Sequence, residues 1–416
     1  MLAACYRLVR DNANFRRIWL AQIVSEAGDW FYSLAIYTLL LEITGEATSV
    51  AIALVFQVLP QTLVGPAAGL INDRLPRKQV MIAADLARAF IVLAMLLVRG
   101  PRDTWFLYLL LTLETVMAAM FEPARNAAIP NIVSAAEIHS ANTLAASTWS
   151  FVLAIGATLG GVVAAVFGRN VVFVINALSF LASAGLIYRM SFAEPHRAGA
   201  APFRLRELAD FSPTLDGIRY MRARPRLSVS LFIKIGSGVL ASCWVMFPIF
   251  ASRVFLLPGL SIVRNTMLVT SILAGARGIG ALAGPLATSG WAGESQARMA
   301  RLVLIGFVIA GVGYAGFSQS PTLAIACAAL FFAHSGGAMI WVNSTTLLQL
   351  NSEDRFRGRV FSADLAIAML TVAVSGFAVG RAIDGGVSVR VVALSVGGLQ
   401  MMLALVWTLA LRRWEG

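Results

Sequence analysis

Two carboxylates three residues apart, Glu26 and Asp29, interrupt a run that is otherwise largely apolar and aromatic. At helical spacing they share one face. A carboxylate held at low dielectric can take up and release a proton reversibly near neutral pH. This pair is therefore the foremost candidate for proton coupling, and Glu114, midway along another apolar run, is the third. Asp85 and Arg88 repeat the three-residue spacing and read as a mutually neutralised structural pair; Glu122 and Arg125 repeat it again. Lys234 and Arg277 fall in later apolar runs, and Arg277 could meet an anionic group of a ligand or an acid elsewhere in the chain. Ionisable groups inside apolar spans are costly and mark function. Trp30, Gln57, Trp244, Trp341 and Asn343 lie in the same kind of run. Together with Arg277 they would suit a mainly apolar cavity with a few polar anchors, or, for the aromatics, a lipid-facing surface.

Other chemistries find no residues to carry them. His139 and His334 have no ligand partner at helical spacing, and no Ser-His or His-Glu-x-x-His arrangement occurs. Cys5, Cys243 and Cys327 form no metal-ligand spacing, and an odd count gives no disulfide framework. No phosphate-binding loop is present to power an ATP-driven step. The expectation is a protein that is not an enzyme and uses neither metal nor cofactor, with an ion gradient as its energy source.

The elements that position these residues are apolar segments long enough to cross a bilayer. Apolar residues make up 58% of the 416-residue chain and charged residues 13%, against roughly half and a quarter in soluble proteins. Twelve spans are predicted, near 18–41, 47–71, 79–98, 104–124, 140–167, 170–190, 227–251, 265–288, 300–318, 321–343, 359–382 and 388–410. Barrel strands would be shorter and alternating. The first span is too long for a cleaved leader and is followed by others. The predicted fold class is an all-α polytopic membrane protein.

Basic residues set the orientation. Arg7, Arg10, Arg16 and Arg17 precede the first span, Arg74, Arg77 and Lys78 follow the second, and arginines crowd the stretch between the sixth and seventh. The alternate loops carry far fewer, which places both termini in the cytoplasm. The net charge of +12 thus faces anionic lipid rather than nucleic acid.

Residues 191–226 are the one long polar break and contain four prolines. They divide the chain into a six-helix bundle over 1–190, a cytoplasmic linker over 191–226 and a second six-helix bundle over 227–416. Within the linker, residues 203–211 alternate apolar and charged positions, either as a surface-lying helix or as a short connector. Gly65-Pro66 in the second span and Gly284-Pro285 in the eighth are weak echoes of one another, as expected of repeated halves that rock to alternate access.

The loop after the second span reads Gly69, three residues, Asp73-Arg74, two residues, Arg77-Lys78. This spacing resembles the cytoplasmic signature of the major facilitator superfamily, with Pro76 where that family often has glycine. The resemblance implies the major facilitator fold and a conformational latch made by Gly69, Asp73, Arg74, Arg77 and Lys78, with Arg125 grouped beside them. The segments Asn14-Phe15-Arg16, Phe121-Glu122-Pro123-Ala124-Arg125 and Arg357-Gly358-Arg359 narrow it to the exporter branch that includes siderophore exporters and macrolide-efflux-type proteins. Gly156-Ala157-Thr158-Leu159-Gly160-Gly161 is similar to the antiporter signature of drug exporters, with Ala157 in place of proline; its glycines equally suit a plain helix contact. What the resemblance implies is proton-coupled export of small amphipathic compounds by a monomer in the bacterial inner membrane, or translocation of a siderophore or lysolipid by the same fold.

Overall fold

The computed structural model describes residues 2–134, 137–194, 212–292 and 295–415. The alternating segment at 203–211 lies outside them. Among the described residues there is no strand. The helices are α1 (Leu2–Asp11), α2 (Ala13–Thr44), α3 (Ala47–Arg74), α4 (Arg77–Ala94), α5 (Thr104–Ala128), α6 (Ile138–Phe167), α7 (Arg169–Tyr188), α8 (Ser212–Arg222), α9 (Pro225–Leu240), α10 (Cys243–Arg253), α11 (Ile262–Ala292), α12 (Gln296–Gln319), α13 (Leu323–Asn351), α14 (Asp354–Asp384) and α15 (Val389–Glu415).

Among the described residues, ten segments are long and apolar enough to cross a membrane by length and composition. α2 and α6 are not among them but have 32 and 30 residues, more than the roughly 20 that a crossing requires. α2 carries Glu26 and Asp29 in its middle. The distribution of side chains is the reverse of a soluble protein's. Lys234 is 1% exposed and Arg88 3%, whereas Phe90 is 75% and Leu409 74% exposed. Apolar surface turned outward and charge turned inward is what a hydrocarbon solvent selects.

By internal contacts the chain falls into two units, Met1–Ile36 with Pro60–Asp210, and Tyr37–Leu59 with Phe211–Gly416. In the first, Leu8, Phe15, Ile18, Met81, Phe121 and Ile187 join α1, α2, α4, α5 and α7 in one apolar cluster. α2 runs between α6 and α7 at glycine contacts. A Cβ on Gly28 would collide with the side chains of Asn176 and Ser179 on α7, and one on Gly160 would stand 2.5 Å from the Phe31 Cα of α2. Gly156 meets Trp30 in the same way, at 3.1 Å. Without a hydrophobic drive between helices in lipid, such small-residue contacts supply the packing. Gly168, at φ 87°, turns α6 directly into α7 in a backbone conformation that favours glycine.

In the second unit, Gly284 seats α11 against the Ser335 carbonyl of α13, and Gly306 seats α12 against the Gly336 carbonyl. Gly65, the sequence echo of Gly284, meets nothing within 4 Å, so the paired motif does not carry a paired contact. The continuous span expected over 227–251 is instead broken between Leu240 and Cys243. A break inside a bilayer frees carbonyls that neighbours must satisfy. Gln400 of α15 donates to the Gly236 carbonyl at 2.9 Å, Ser375 of α14 to Gly238 at 3.4 Å, and Tyr314 of α12 to Leu240 at 3.2 Å. Three helices thus hold the end of α9. At the other end of this unit, the Asp384 carboxylate accepts from the Ala47 and Thr48 amides at 2.9 and 2.7 Å, capping α3 from α14 where its dipole favours an anion.

The Gly160 contact yields a direct test. Gly160→Ala forces α6 off the α2 backbone and is expected to cost about 1–3 kcal/mol, the usual penalty of overpacking. Gly65→Ala enters open space and should leave stability within about 0.5 kcal/mol. Thermal unfolding of the two purified variants in one detergent measures the difference, and equal melting temperatures would show that the α2–α6 approach is not tight.

Candidate functional site

Arg88 is the centre of the first unit. Its Nη2 donates to Asp29 Oδ2 of α2 at 2.7 Å and its Nε to Glu114 Oε1 of α5 at 2.9 Å. Nη1 lies 3.5 Å from Ser25 Oγ and 3.7 Å from Asp85 Oδ1. The guanidinium also sits 4.0 Å from the centroid of the Phe180 ring on α7, and Tyr32 donates its hydroxyl to Glu114 Oε2 at 2.8 Å. One cation therefore answers three carboxylates. Side-chain exposure separates them: Asp85 is 0%, Glu114 6% and Asp29 30% exposed. Asp29 is the least buried of the three. Its Oδ1 is buried and accepts no hydrogen bond, as do both oxygens of Asp85, so lone pairs remain where a proton could sit.

A second cluster adjoins along α2. Arg125 Nη1 donates to Glu26 Oε1 at 3.1 Å and Nη2 to Glu122 Oε2 at 2.7 Å. Gln22 donates to the same Glu26 oxygen at 2.9 Å, while Glu26 Oε2 is buried without a partner. Here one guanidinium meets two carboxylates. The spacing Glu26–Asp29, read as one helix face, in fact hands each acid to a different arginine.

Asp85 and Arg88 do form the expected i,i+3 ion pair, but it is the longest of the three ion pairs that Arg88 makes. An arginine side chain reaches about as far across to a neighbouring helix as along its own, and the sequence does not show which neighbour lies there. Ser25, Tyr32 and Gln22 were missed for the same reason.

At the loop between α3 and α4, Arg77 donates to the Ala127 carbonyl at 2.7 Å and Lys78 to the Met190 carbonyl at 2.7 Å. Pro76, extended at φ −61° and ψ 115°, immediately precedes α4, where no helical N–H is lost. Gly69 and Asp73 lie on α3 and Arg74 ends it; the side chain of Asp73 lies outside the described residues. Arg125 is engaged with Glu26 and Glu122, not with the loop backbone.

In the second unit, Lys234 Nζ lies 2.8 Å from Thr345 Oγ1, 3.4 Å from Asp364 Oδ2 and 3.7 Å from the Trp341 ring centroid. Asp364 escaped the sequence reading because it opens the long apolar stretch of α14 beside several arginines. Trp341 serves Lys234 from the same helix turn that carries Thr345. Asn343 is buried and donates to the Met339 carbonyl of its own helix at 2.8 Å. Gln57 accepts from the Tyr37 hydroxyl at 2.5 Å. Arg277 of α11 sits with its guanidinium 4.6 Å from the Trp244 ring centroid. His334, isolated in sequence, meets the Tyr314 hydroxyl at 3.2 Å. Among the described residues no cluster of His, Cys, Asp and Glu could hold a metal ion.

Comparisons with known proteins give the setting for this chemistry. A family model described as transmembrane secretion effector matches residues 8–416. The chain is 24% identical to the MFS-type transporter YfiS of Bacillus subtilis (strain 168) over 406 residues, 96% of this chain and 93% of that one. It is 29% identical to macrolide efflux protein A of Streptococcus pyogenes over 167 residues, 40% of this chain and 41% of that one. A crystal structure of a variant of the nucleoside transporter NupG superposes with a TM-score of 0.74 at 13% identity, covering 96% of this chain and all of the other; that likeness speaks to the fold.

The charge arrangement around Arg88 predicts an asymmetry between variants. Removing the cation in Arg88→Gln strands three buried or half-buried carboxylates and should cost about 3–5 kcal/mol. Asp29→Asn keeps a hydrogen-bond acceptor for Arg88 and leaves Glu114 and Asp85 to neutralise it, so it should cost under about 1.5 kcal/mol. Thermal unfolding in detergent ranks the two, and a more damaging Asp29→Asn would contradict the geometry.

Proposed function

The chain belongs to the transmembrane secretion effector family of major facilitator transporters, a group of multi-pass membrane proteins and not enzymes, and from that premise we propose that it is a proton-coupled exporter of small amphipathic organic compounds. In this reading α2 and α6 complete a set of twelve spans, arranged as two six-helix halves over 1–190 and 227–416. Residues 191–226 link them on the cytoplasmic side, together with both termini, in the bacterial inner membrane. The similarity to a macrolide efflux protein supports outward transport.

The observation that carries the reading is the surplus of negative charge around Arg88. One guanidinium cannot neutralise Asp29, Glu114 and Asp85 together. In a low-dielectric interior an unanswered charge is expensive, and a proton answers it. Loss of that proton from Asp29 tightens its bond to Arg88; gain of it loosens that bond and leaves Arg88 held by Glu114. A change of this kind shifts α2 against α4 and α5, because each group is fixed to a different helix. Coupling then requires only that substrate and proton favour opposite conformations. The loop at Asp73, Arg74, Arg77 and Lys78 serves as the latch between those conformations, and the proton gradient supplies the energy with no cofactor.

Substrate-induced proton movement in proteoliposomes tests this. Wild type should move protons on addition of a transported compound. Asp29→Asn should retain substrate binding and downhill exchange but lose proton-driven accumulation, and Glu114→Gln and Glu26→Gln separate the two clusters. Normal proton movement in all three variants would place the coupling carboxylate elsewhere; no movement in wild type would replace antiport with another driving force.

A further inference from the structure

Among the described residues, the buried cations are each answered by an acid. Arg88 meets Asp29 and Glu114, Arg125 meets Glu26, and Lys234 meets Asp364. Arg277 is different. Among the described residues it makes no ion pair, and its Nε and Nη1 are buried with no hydrogen-bond partner. The titratable groups within its electrostatic reach are Tyr37, Cys243, Tyr314 and His334, none of them a carboxylate. An unpaired guanidinium in a span costs the protein several kcal/mol by the usual scales, and buried donors left unmade add about 1–3 kcal/mol each. Among the described residues the fold offers it the Trp244 ring and the neutral Cys243 thiol, but no acid.

The surroundings show what is being kept available. Tyr314 spends its hydroxyl on the Leu240 carbonyl and His334, and Tyr37 spends its hydroxyl on Gln57, so neither is turned over to Arg277. Trp244 lies in the first turn of α10, just past the break in the span, and carries the guanidinium against its ring. A guanidinium set over an indole gains a cation–π contact and keeps its N–H fork for a planar oxyanion. Interrupted helices are where transporters of this general build place ligand groups. Arg277 is half-buried, so one side of the residue remains reachable.

We infer that Arg277 and Trp244 form a subsite for one oxyanion, a carboxylate or a phosphate, on the amphipathic molecule that the protein carries. The inference rests on the transport reading above and specifies its substrate class: compounds with an aromatic or apolar body and a single negative group. The oxyanion meets the guanidinium on the side of Arg277 that remains exposed, and the apolar body extends from the indole.

Equilibrium binding by the full chain in nanodiscs tests it without any proton gradient. N-dansylphenylalanine and its methyl ester differ in the charge and one methyl group, and their fluorescence is read against empty nanodiscs. Wild type should bind the acid about tenfold or more tightly than the ester, the worth of a charge-assisted hydrogen bond. Arg277→Gln should bring the ratio to about one, and Arg277→Lys should restore part of it. Lysophosphatidylglycerol added as competitor distinguishes the sources: displacement that Arg277→Gln abolishes identifies a lipid phosphate, and its failure with acid binding intact identifies a small-molecule carboxylate. Equal binding of acid and ester by wild type, no binding of the acid, or an unchanged ratio in Arg277→Gln with a lowered melting temperature would each overturn the inference, the last by showing a merely structural guanidinium. Because binding is measured at equilibrium, an acid preference without proton-linked transport would remove only the coupling reading.

Discussion

The arrangement of the first unit depends on one guanidinium held among three acids in a medium that does not solvate them. In water such a cluster would be worth little, since exposed ion pairs contribute under about 1 kcal/mol. Between helices in hydrocarbon, each of those charges must find its counterpart within the protein. That requirement fixes where α2, α4 and α5 can lie, because Asp29, Arg88 and Glu114 sit one on each. The glycine contacts serve the same end: Gly28 and Gly160 bring α2 close enough to α7 and α6 for Asp29 to stand at the guanidinium rather than beyond it.

The second unit meets the same constraint with different means. Lys234 is neutralised by Asp364 and covered by Trp341. Gln400, Ser375 and Tyr314 from three other helices donate to carbonyls in the last turns of α9 beside the break. Arg277 stands out because this economy stops at it.

Much of this was legible in the sequence where local physics decides. Apolar length gave ten of the spans among the described residues, and the glycines at 156 and 160 allowed for a close helix contact. The acids at 26, 29 and 114 declared themselves by standing in apolar runs. What was not legible is which helix each long side chain reaches. Arg88 read as the partner of Asp85 because three residues along a helix is the only distance a sequence displays. Asp364 was hidden beside a basic stretch, and the break after Leu240 left no proline or glycine at the break itself. Gly65-Pro66 and Gly284-Pro285 looked alike, yet only the second packs against a backbone, since neighbours and not the dipeptide decide the contact.

The central claim is that the carboxylates around Arg88 share an exchangeable proton. Infrared difference spectroscopy of the protein in lipid, titrated across neutral pH, observes such a proton through the carbonyl stretch of a neutral carboxylic acid. Wild type should show this band growing as pH falls, and the double variant Asp29→Asn, Glu114→Gln should lose it. A band of unchanged intensity in the double variant, or none in wild type, would contradict a proton held at Arg88.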